Sequence, residues 1–231
     1  IFKSWFVDFD PVHENVQAAA AGRPVPHPDF PAAFVDSALG PVPEGWRVGT
    51  LDNAAEIHDS KRIPLSKRER EQRQGKYPYY GAASLMDYVD DYIFDGVHLL
   101  VAEDGSVIDD KNRPVLQYVW GQFWVNNHAH VLTGKNTCST EQLMLAMKFI
   151  NIKPYITGAV QLKINQANLK RIPFILPSAE LNTKFKETVQ FFYERIRTNT
   201  EESQTLAELR DTLLPQLISG HLRLPEIKET G

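Results

Sequence analysis

The apolar positions of residues 178–222 repeat with a helical period. Leu181, Phe185, Val189, Phe192, Ile196, Asn199, Ser203, Leu206, Arg210, Leu213 and Leu217 keep an alternating four-three spacing after the first step. That spacing predicts a heptad-like stripe on one helix of about 38 residues, roughly 57 Å long at 1.5 Å per residue. Asn199 and Ser203 put polar groups in the middle of the seam, which fixes register at a cost in stability. Pro215 lacks the amide hydrogen that a helix interior needs, so it is expected to kink or shorten the last turns. A helix with one apolar stripe needs a partner helix, from this chain or another. Phe185, Val189, Phe192, Ile196, Leu206, Leu213 and Leu217 are the residues expected to meet it.

Residues 46–177 lose that period and read as mixed, mostly β structure. Trp46–Leu51 predicts a first strand. Tyr92–Gly96 and Val97–Ala102 are strand-like, with turns at Asp95-Gly96 and Asp104-Gly105. Gln117–Val125 is aromatic and β-branched, one strand or a pair. Ser139 and Thr140, ahead of Glu141 and the run LMLAMKFI, predict one short capped helix. Ala159–Ile164 alternates as a strand does. Upstream, Phe2, Trp5, Phe6 and Phe9 sit at near-helical spacing, as at the end of a packed helix. Residues 11–45 hold seven of the fifteen prolines, which predicts an extended connector in which Ala18–Ala21 at most prolong a helical turn. The expected fold class is α+β: a mixed, mostly β domain followed by one long coiled-coil-forming helix.

With 231 residues, 42% of them hydrophobic, the chain has material for one or two domains with a core of their own. No apolar run approaches the ~20 residues of a membrane helix. The opening IFKSWFVDFD lacks a Met and carries two Asp, so it reads as a cut end and not as a signal peptide. Cys138 is the only cysteine. It excludes an internal disulfide and a four-thiolate zinc site, and makes a cytoplasmic location the default expectation. The net charge of -4 hides a segregation. Lys61–Lys76 has seven basic residues against two acids, Asp87–Asp110 has eight acids and no Lys or Arg, and Lys153–Arg171 has four basic residues and no acid. Two acid-poor basic segments fit a local basic face, and equally fit solvated loops.

Several enzymatic readings lack their motifs. The chain has neither the Gly-rich turn nor the polar-Pro-Pro-aromatic loop of methyl transfer from S-adenosylmethionine, and no GxxxxGK[ST] to hold ATP phosphates. Asp95 with Asp109-Asp110-Lys111 mimics a carboxylate plus carboxylate-x-Lys nuclease site, which would hold a divalent ion and position a hydroxide; acid-rich turns use the same residues. Asn126-Asn-His-Ala-His130 offers two imidazoles to a metal, with His98 or Cys138 as a third ligand. Strand-end Asn and His more commonly hydrogen-bond backbone. Ser84, Ser106 and Ser139 stand in no nucleophile motif.

Nucleic-acid recognition has more to work with. The stretch GKYPYYGA (Gly75–Ala82) follows the basic run and sets three tyrosines beside Lys76. The second basic segment, KPYITGAVQLKINQANLKR, supplies Lys, Tyr, Thr, Gln and Asn, residue types that contact phosphates and base edges. The same rings would pack a β core and the same amides would cap turns, so residue chemistry alone leaves both readings open.

The sequence resembles the specificity subunit of type I restriction–modification enzymes over essentially its whole length. IFKSWFVDFDPV resembles the end of that family's central conserved helix, and LGPVPEGWRVGTL the opening of a target recognition domain. GKYPYYGAASLMDYVDDYIFDGVHLLVAEDGSV and YVWGQFWVNNHAHVL are similar to one recurring class of such domains. TGAVQLKINQANLKRIPFILP is similar to their exit, and LAELRDTLLPQLISGHLRL to the C-terminal conserved helix. The resemblance implies four regions: 1–45, the end of the central helix and a Pro-rich linker; 46–177, the target recognition domain; 178–222, the C-terminal conserved helix; and 223–231, a tail.

The resemblance also implies a division of labour. Two recognition domains each read one half of a split sequence in double-stranded DNA, and two antiparallel helices hold them apart and dock methyltransferase subunits. A motor–nuclease subunit joins the complex, and the chemistry resides in these partners. No cofactor, metal or catalytic residue is then expected on this chain. Its helix would pair with a missing N-terminal half or with a second copy, and its length corresponds to roughly 17 base-pair rises. Within this frame Lys61, Arg62, Lys67, Arg68, Arg70 and Lys76, with one or two of Tyr77, Tyr79 and Tyr80, form a first group of candidate DNA contacts, and the remaining ring is expected to pack inward. Tyr155, Thr157, Gln161, Lys163, Asn165 and Gln166 form the second. Two alternatives remain: an autonomous metal-dependent nuclease, and an assembly adaptor without sequence preference.

Overall fold

The computed structural model describes residues 1–158 and 160–222; Ala159 and the expected tail at 223–231 lie outside them. The chain divides into two units, Ile1–Val189 and Gln190–Gly231.

The first unit opens with two helices, α1 (Phe2–Phe6) and α2 (Asp10–Ala20), separated where Phe9 takes a left-handed backbone at φ 54°. Pro11 lies in the first turn of α2, where its missing amide hydrogen costs nothing. The extended connector expected for residues 11–45 is therefore corrected, since its first part is helix and the proline cluster begins only at Pro24. That cluster is tied back by the buried Asn15. Its carboxamide donates to the carbonyls of His27 (2.7 Å) and Phe30 (2.9 Å) and accepts from the His27 amide (2.9 Å). Extended backbone without ladder partners needs such a hub for its polar groups.

A short antiparallel pair follows, β1 (Phe34–Val35) with β2 (Val42–Pro43), then β3 (Arg47–Thr50), α3 (Leu51–Ala54) and β4 (Ala55–Ile57). Helix α4 (Lys67–Gln72) starts at a capping box, with Ser66 accepting from the Glu69 amide while the Glu69 carboxylate accepts from the Ser66 amide. Next come β5 (Gln74–Tyr80), β6 (Leu85–Val89), β7 (Phe94–Asp95), β8 (His98–Ala102), β9 (Leu116–Val119), β10 (Gln122–Val125) and β11 (Ala129–Gly134). The unit closes with α5 (Thr140–Met147), capped by Ser139 as expected, then α6 (Gln166–Lys170) and β12 (Pro173–Leu176).

Two four-stranded sheets carry the core. One runs β6-β5-β10-β7 and mixes a parallel β5–β10 pair with antiparallel neighbours; the other is the antiparallel β4-β11-β8-β9. Phe94, Phe123 and Val125 of the first meet Leu100, Val119, Ala129 and Val131 of the second in one buried cluster. With both faces covered, β8 is buried along its whole length, which is why His98–Ala102 reads as a run and not an alternation. The aromatic stretch Gln117–Val125 is two strands in different sheets, turned at Gly121 (φ 77°). Strand β12 pairs antiparallel with β3, setting Phe174 opposite Gly49, so the two ends of the globular region are one ladder.

The strand expected at Ala159–Ile164 does not form among the described residues. Lys163 makes only isolated bridges to Thr157 and Asp104. Helix α7 spans Ala179–Ile218 and ends three residues after Pro215. No described helix is long and apolar enough to cross a membrane.

Candidate nucleic-acid interface

GKYPYYGA forms most of β5, and strand alternation divides its rings. Tyr79 is 1% exposed and packs with Val89 and Trp124. Its hydroxyl accepts from the Leu65 amide (3.0 Å) and donates to the Leu65 carbonyl (3.4 Å). Tyr79 is thus the ring of the three that packs inward, where β5 turns it under the 58–66 segment. Tyr80 is half-buried on the opposite face, edge-on to Phe123, and burial raises the pKa of its phenol. Tyr77 stays at the margin. Its ring lies 5.1 Å from that of Tyr92, and the Lys76 ammonium sits 5.0 Å from the Tyr77 ring centre. Gly75 is required here: a Cβ would come within 2.4 Å of the Asp90 backbone, where β5 and β6 slip register.

The first basic group separates into engaged and unengaged cations. Arg62 donates to Glu103 (2.7 Å) and to the Ala129 carbonyl (2.7 Å), with its side chain 13% exposed. Arg70 donates to Asp87 (3.1 Å) and the Leu65 carbonyl (2.7 Å) and lies over the Tyr79 ring at 5.1 Å. Both guanidinium groups are engaged within the protein, Arg62 on Glu103 and Arg70 on Asp87. Arg73, which the residue pattern did not single out, covers the Trp124 ring at 4.9 Å while paired to Asp90. Lys67 makes only a loose pair with Glu71 at 3.9 Å. Lys61, Arg68 and Lys76 are exposed and enter no ion pair among the described residues.

In the second group the polar atoms mostly serve local structure. Asn165 caps α6 by accepting from the Asn168 amide (2.8 Å), and Asn168 in turn donates to the Tyr155 carbonyl (3.0 Å). Thr157 and Lys163 exchange two backbone hydrogen bonds of 2.8 Å, and the Lys163 ammonium meets Glu103 at 3.2 Å. Gln161 and Gln166 are exposed, and Tyr155 is half-buried.

Three ligand-type side chains converge among the described residues: Asp59, Glu103 and His130. They do not form a metal cage, because Arg62 already supplies the cation, 2.7 Å from Glu103 and 3.5 Å from Asp59. His130 hydrogen-bonds Asp59 through Nδ1 (2.6 Å) and the Ile164 carbonyl through Nε2 (2.8 Å). Burial raises the pKa of Asp59, but the His130 hydrogen bond and charge, the Val131 amide and Arg62 outweigh it and leave the net shift downward. The imidazole pair weighed from sequence is not assembled: His128 pairs with Asp104, and Cys138 is a buried thiol pushed up to about 12 by desolvation. The nuclease mimic is not assembled either. Asp109 accepts from the Lys111 and Arg113 amides and pairs with the Arg113 guanidinium, forming a turn.

A family model for the type I restriction modification DNA specificity domain matches residues 43–208. The chain belongs to this family. A type I restriction enzyme specificity subunit of Haemophilus influenzae is 34% identical over 151 residues, 65% of this chain and 38% of that protein. The MjaIX specificity subunit of Methanocaldococcus jannaschii is 23% identical over 245 residues, 98% of this chain and 52% of that one. The chain thus spans about half the length of the curated relatives it matches. In fold it is similar to the type I restriction–modification S subunit from M. genitalium, with a TM-score of 0.54 at 18% identity, over 76% of this chain and 46% of that one.

In this specificity-domain chain the predicted helix seam divides at Val189. Leu181, Phe185 and Val189 are buried in the first unit, with Phe185 among Phe2, Trp5 and Phe6. Phe185 thus meets α1, the segment that reads from sequence as the end of a packed helix, and Val189 is buried within the first unit. Of the second unit's seam residues, Phe192, Ile196, Leu206 and Leu213 are exposed and Leu217 half-buried, and Phe191, Leu209, Leu214 and Ile218 widen the exposed apolar face.

Proposed function

We propose that residues 46–177 read one half of a split site in double-stranded DNA, and that α7 pairs with another long helix to dock methyltransferase subunits. Methylation and ATP-driven cleavage then belong to partner methyltransferase and motor–nuclease subunits, and this chain contributes specificity without a catalytic group. The observation that carries the reading is the specificity-domain match over residues 43–208. Two features support it. Lys61, Arg68 and Lys76 enter no ion pair among the described residues while neighbouring arginines are paired within the fold, which leaves their charge for phosphates. The 40 residues of α7 rise roughly 60 Å, about 18 base-pair steps, the order of a gap between two half-sites. Nothing favours an autonomous nuclease, since Asp109 is taken up by Arg113.

The test is to co-express the subunit carrying this chain at full length with its methyltransferase partner and to map methylated adenines by sequencing. The expected result is a split motif, one half of which changes when residues 46–177 are exchanged. A complex that assembles but methylates without sequence preference would leave an adaptor and overturn the reading.

A further inference from the structure

The two groups of surface residues assigned to DNA come from segments about a hundred positions apart, and one side chain ties them together. Glu103 follows the last residue of β8 and is largely buried. One carboxylate oxygen accepts from Arg62 (2.7 Å) in the 59–73 segment, and the other meets the ammonium of Lys163 (3.2 Å), whose backbone is bridged to Thr157. Its main chain is equally committed: the amide donates to the His128 carbonyl (2.8 Å), and its carbonyl accepts from the Ile164 amide (2.9 Å). His130 closes the ring between Asp59 and the Ile164 carbonyl. Its Nδ1 lies 2.6 Å from the Asp59 carboxylate and its Nε2 2.8 Å from the Ile164 carbonyl.

We propose that Glu103 is the positioning residue of the DNA-reading surface, holding the 59–73 segment through Arg62 and the bridged pair of Thr157 and Lys163 through the Lys163 ammonium in one fixed arrangement. This rests on the DNA-recognition reading above. Within the fold the anion balances Arg62, the cation it shares with Asp59. Next to a phosphate backbone it opposes binding, and it occupies two cations that would attract DNA if released. A group that lowers bulk attraction while fixing geometry favours discrimination over affinity.

Glu103→Gln keeps the shape and removes the charge, which gives the experiment its sign. The readout is binding by the assembled complex of full-length subunit and methyltransferase. Its probes are a duplex carrying the motif mapped for the parent and the same duplex with this domain's half-site shuffled. Expected is equal or tighter binding of the shuffled duplex, a fall of about tenfold in the ratio between the two, on the scale of one mismatched base pair, and a degenerate half-site in the methylation map. A merely electrostatic role would tighten both duplexes alike, and a merely structural one would lower the melting temperature with the motif intact. A ratio within about twofold of the parent's therefore overturns the proposal. Glu103→Asp keeps the charge but withdraws the carboxylate by one methylene. It is expected to lose discrimination too, and serves as the test if the Gln variant does not fold; retained discrimination there is equally fatal. If the parent itself does not distinguish the two duplexes, the DNA-recognition reading has failed before any variant is compared.

Discussion

Phe185 meets Phe6 edge-on, their ring centres 4.9 Å apart and their planes at 89°. Phe2 and Trp5 add contacts to the same ring at 5.6 and 5.8 Å. The start of α7 is thus clamped by α1 inside the first unit. Edge-to-face packing of this kind adds about 0.5–1.5 kcal/mol per pair to the burial itself. The four-three repeat runs unbroken through this boundary, because an α-helix presents the same face to an aromatic core as to a partner helix.

Phe185→Ala is expected to destabilise the first unit by about 3–5 kcal/mol, the usual cost of emptying a buried phenylalanine site, measured by denaturant unfolding. Phe192→Asp should leave that transition unmoved, since Phe192 is exposed, and should abolish co-purification with the methyltransferase partner. Retained assembly would remove the role given to the exposed stripe.

Tyr79→Phe removes the hydroxyl that serves both backbone groups of Leu65. Leaving those groups short of partners should cost about 1–3 kcal/mol and loosen the basic loop, seen as faster amide hydrogen exchange at Leu65. An unchanged exchange rate would show that water replaces the phenol.

These two positions show what was legible in the sequence. The helix, the α5 cap and the Gly-marked turns follow from local rules and stand where the pattern put them. The ring assignment within GKYPYYGA required knowing that β5 is covered on both faces, which depends on the distant 58–66 loop. The arginines read as surface cations because their acids, Glu103 and Asp87, lie 41 and 17 positions away. A local signal for α4 was available: Ser66 and Glu69 have capping-box spacing. Asn15 carried no such mark, since its partners are carbonyls 12 and 15 residues on.

Acid should weaken the fold through two histidines whose rings meet at 5.8 Å. Burial holds His98 below its ordinary 6.5. The Gly96 carbonyl and Asp95 pull the other way, while His58 and Lys61 deepen the depression. His58 is lowered mainly by burial too. The unfolded chain takes up these protons near 6.5 and the folded chain only at lower pH. Their contribution is therefore complete above 6.5 and lost as pH falls through the depressed values. Melting temperatures should decline from pH 7 to 5, and His98→Phe should flatten that slope. An equally steep decline in the variant would assign it elsewhere. Asp59 adds a second loss only in stronger acid, below its ordinary 3.8.

Lys76 and Arg62 separate the two kinds of cation by opposite signatures. Lys76 makes no ion pair among the described residues, so Lys76→Ala should leave stability nearly unchanged. It should weaken DNA binding uniformly across sequences and reduce the log–log salt slope by about one. Arg62→Ala removes the guanidinium shared by Asp59 and Glu103, which are largely buried. Breaking such a pair costs about 3–5 kcal/mol, so unfolding should register the change before any salt slope does. Fluorescence anisotropy over a salt series, beside thermal melts of both variants, checks the pair. If the slope stays unchanged on removing Lys76, β5 does not face the phosphates, and the DNA-facing surface must be sought around Thr157 and Lys163 instead.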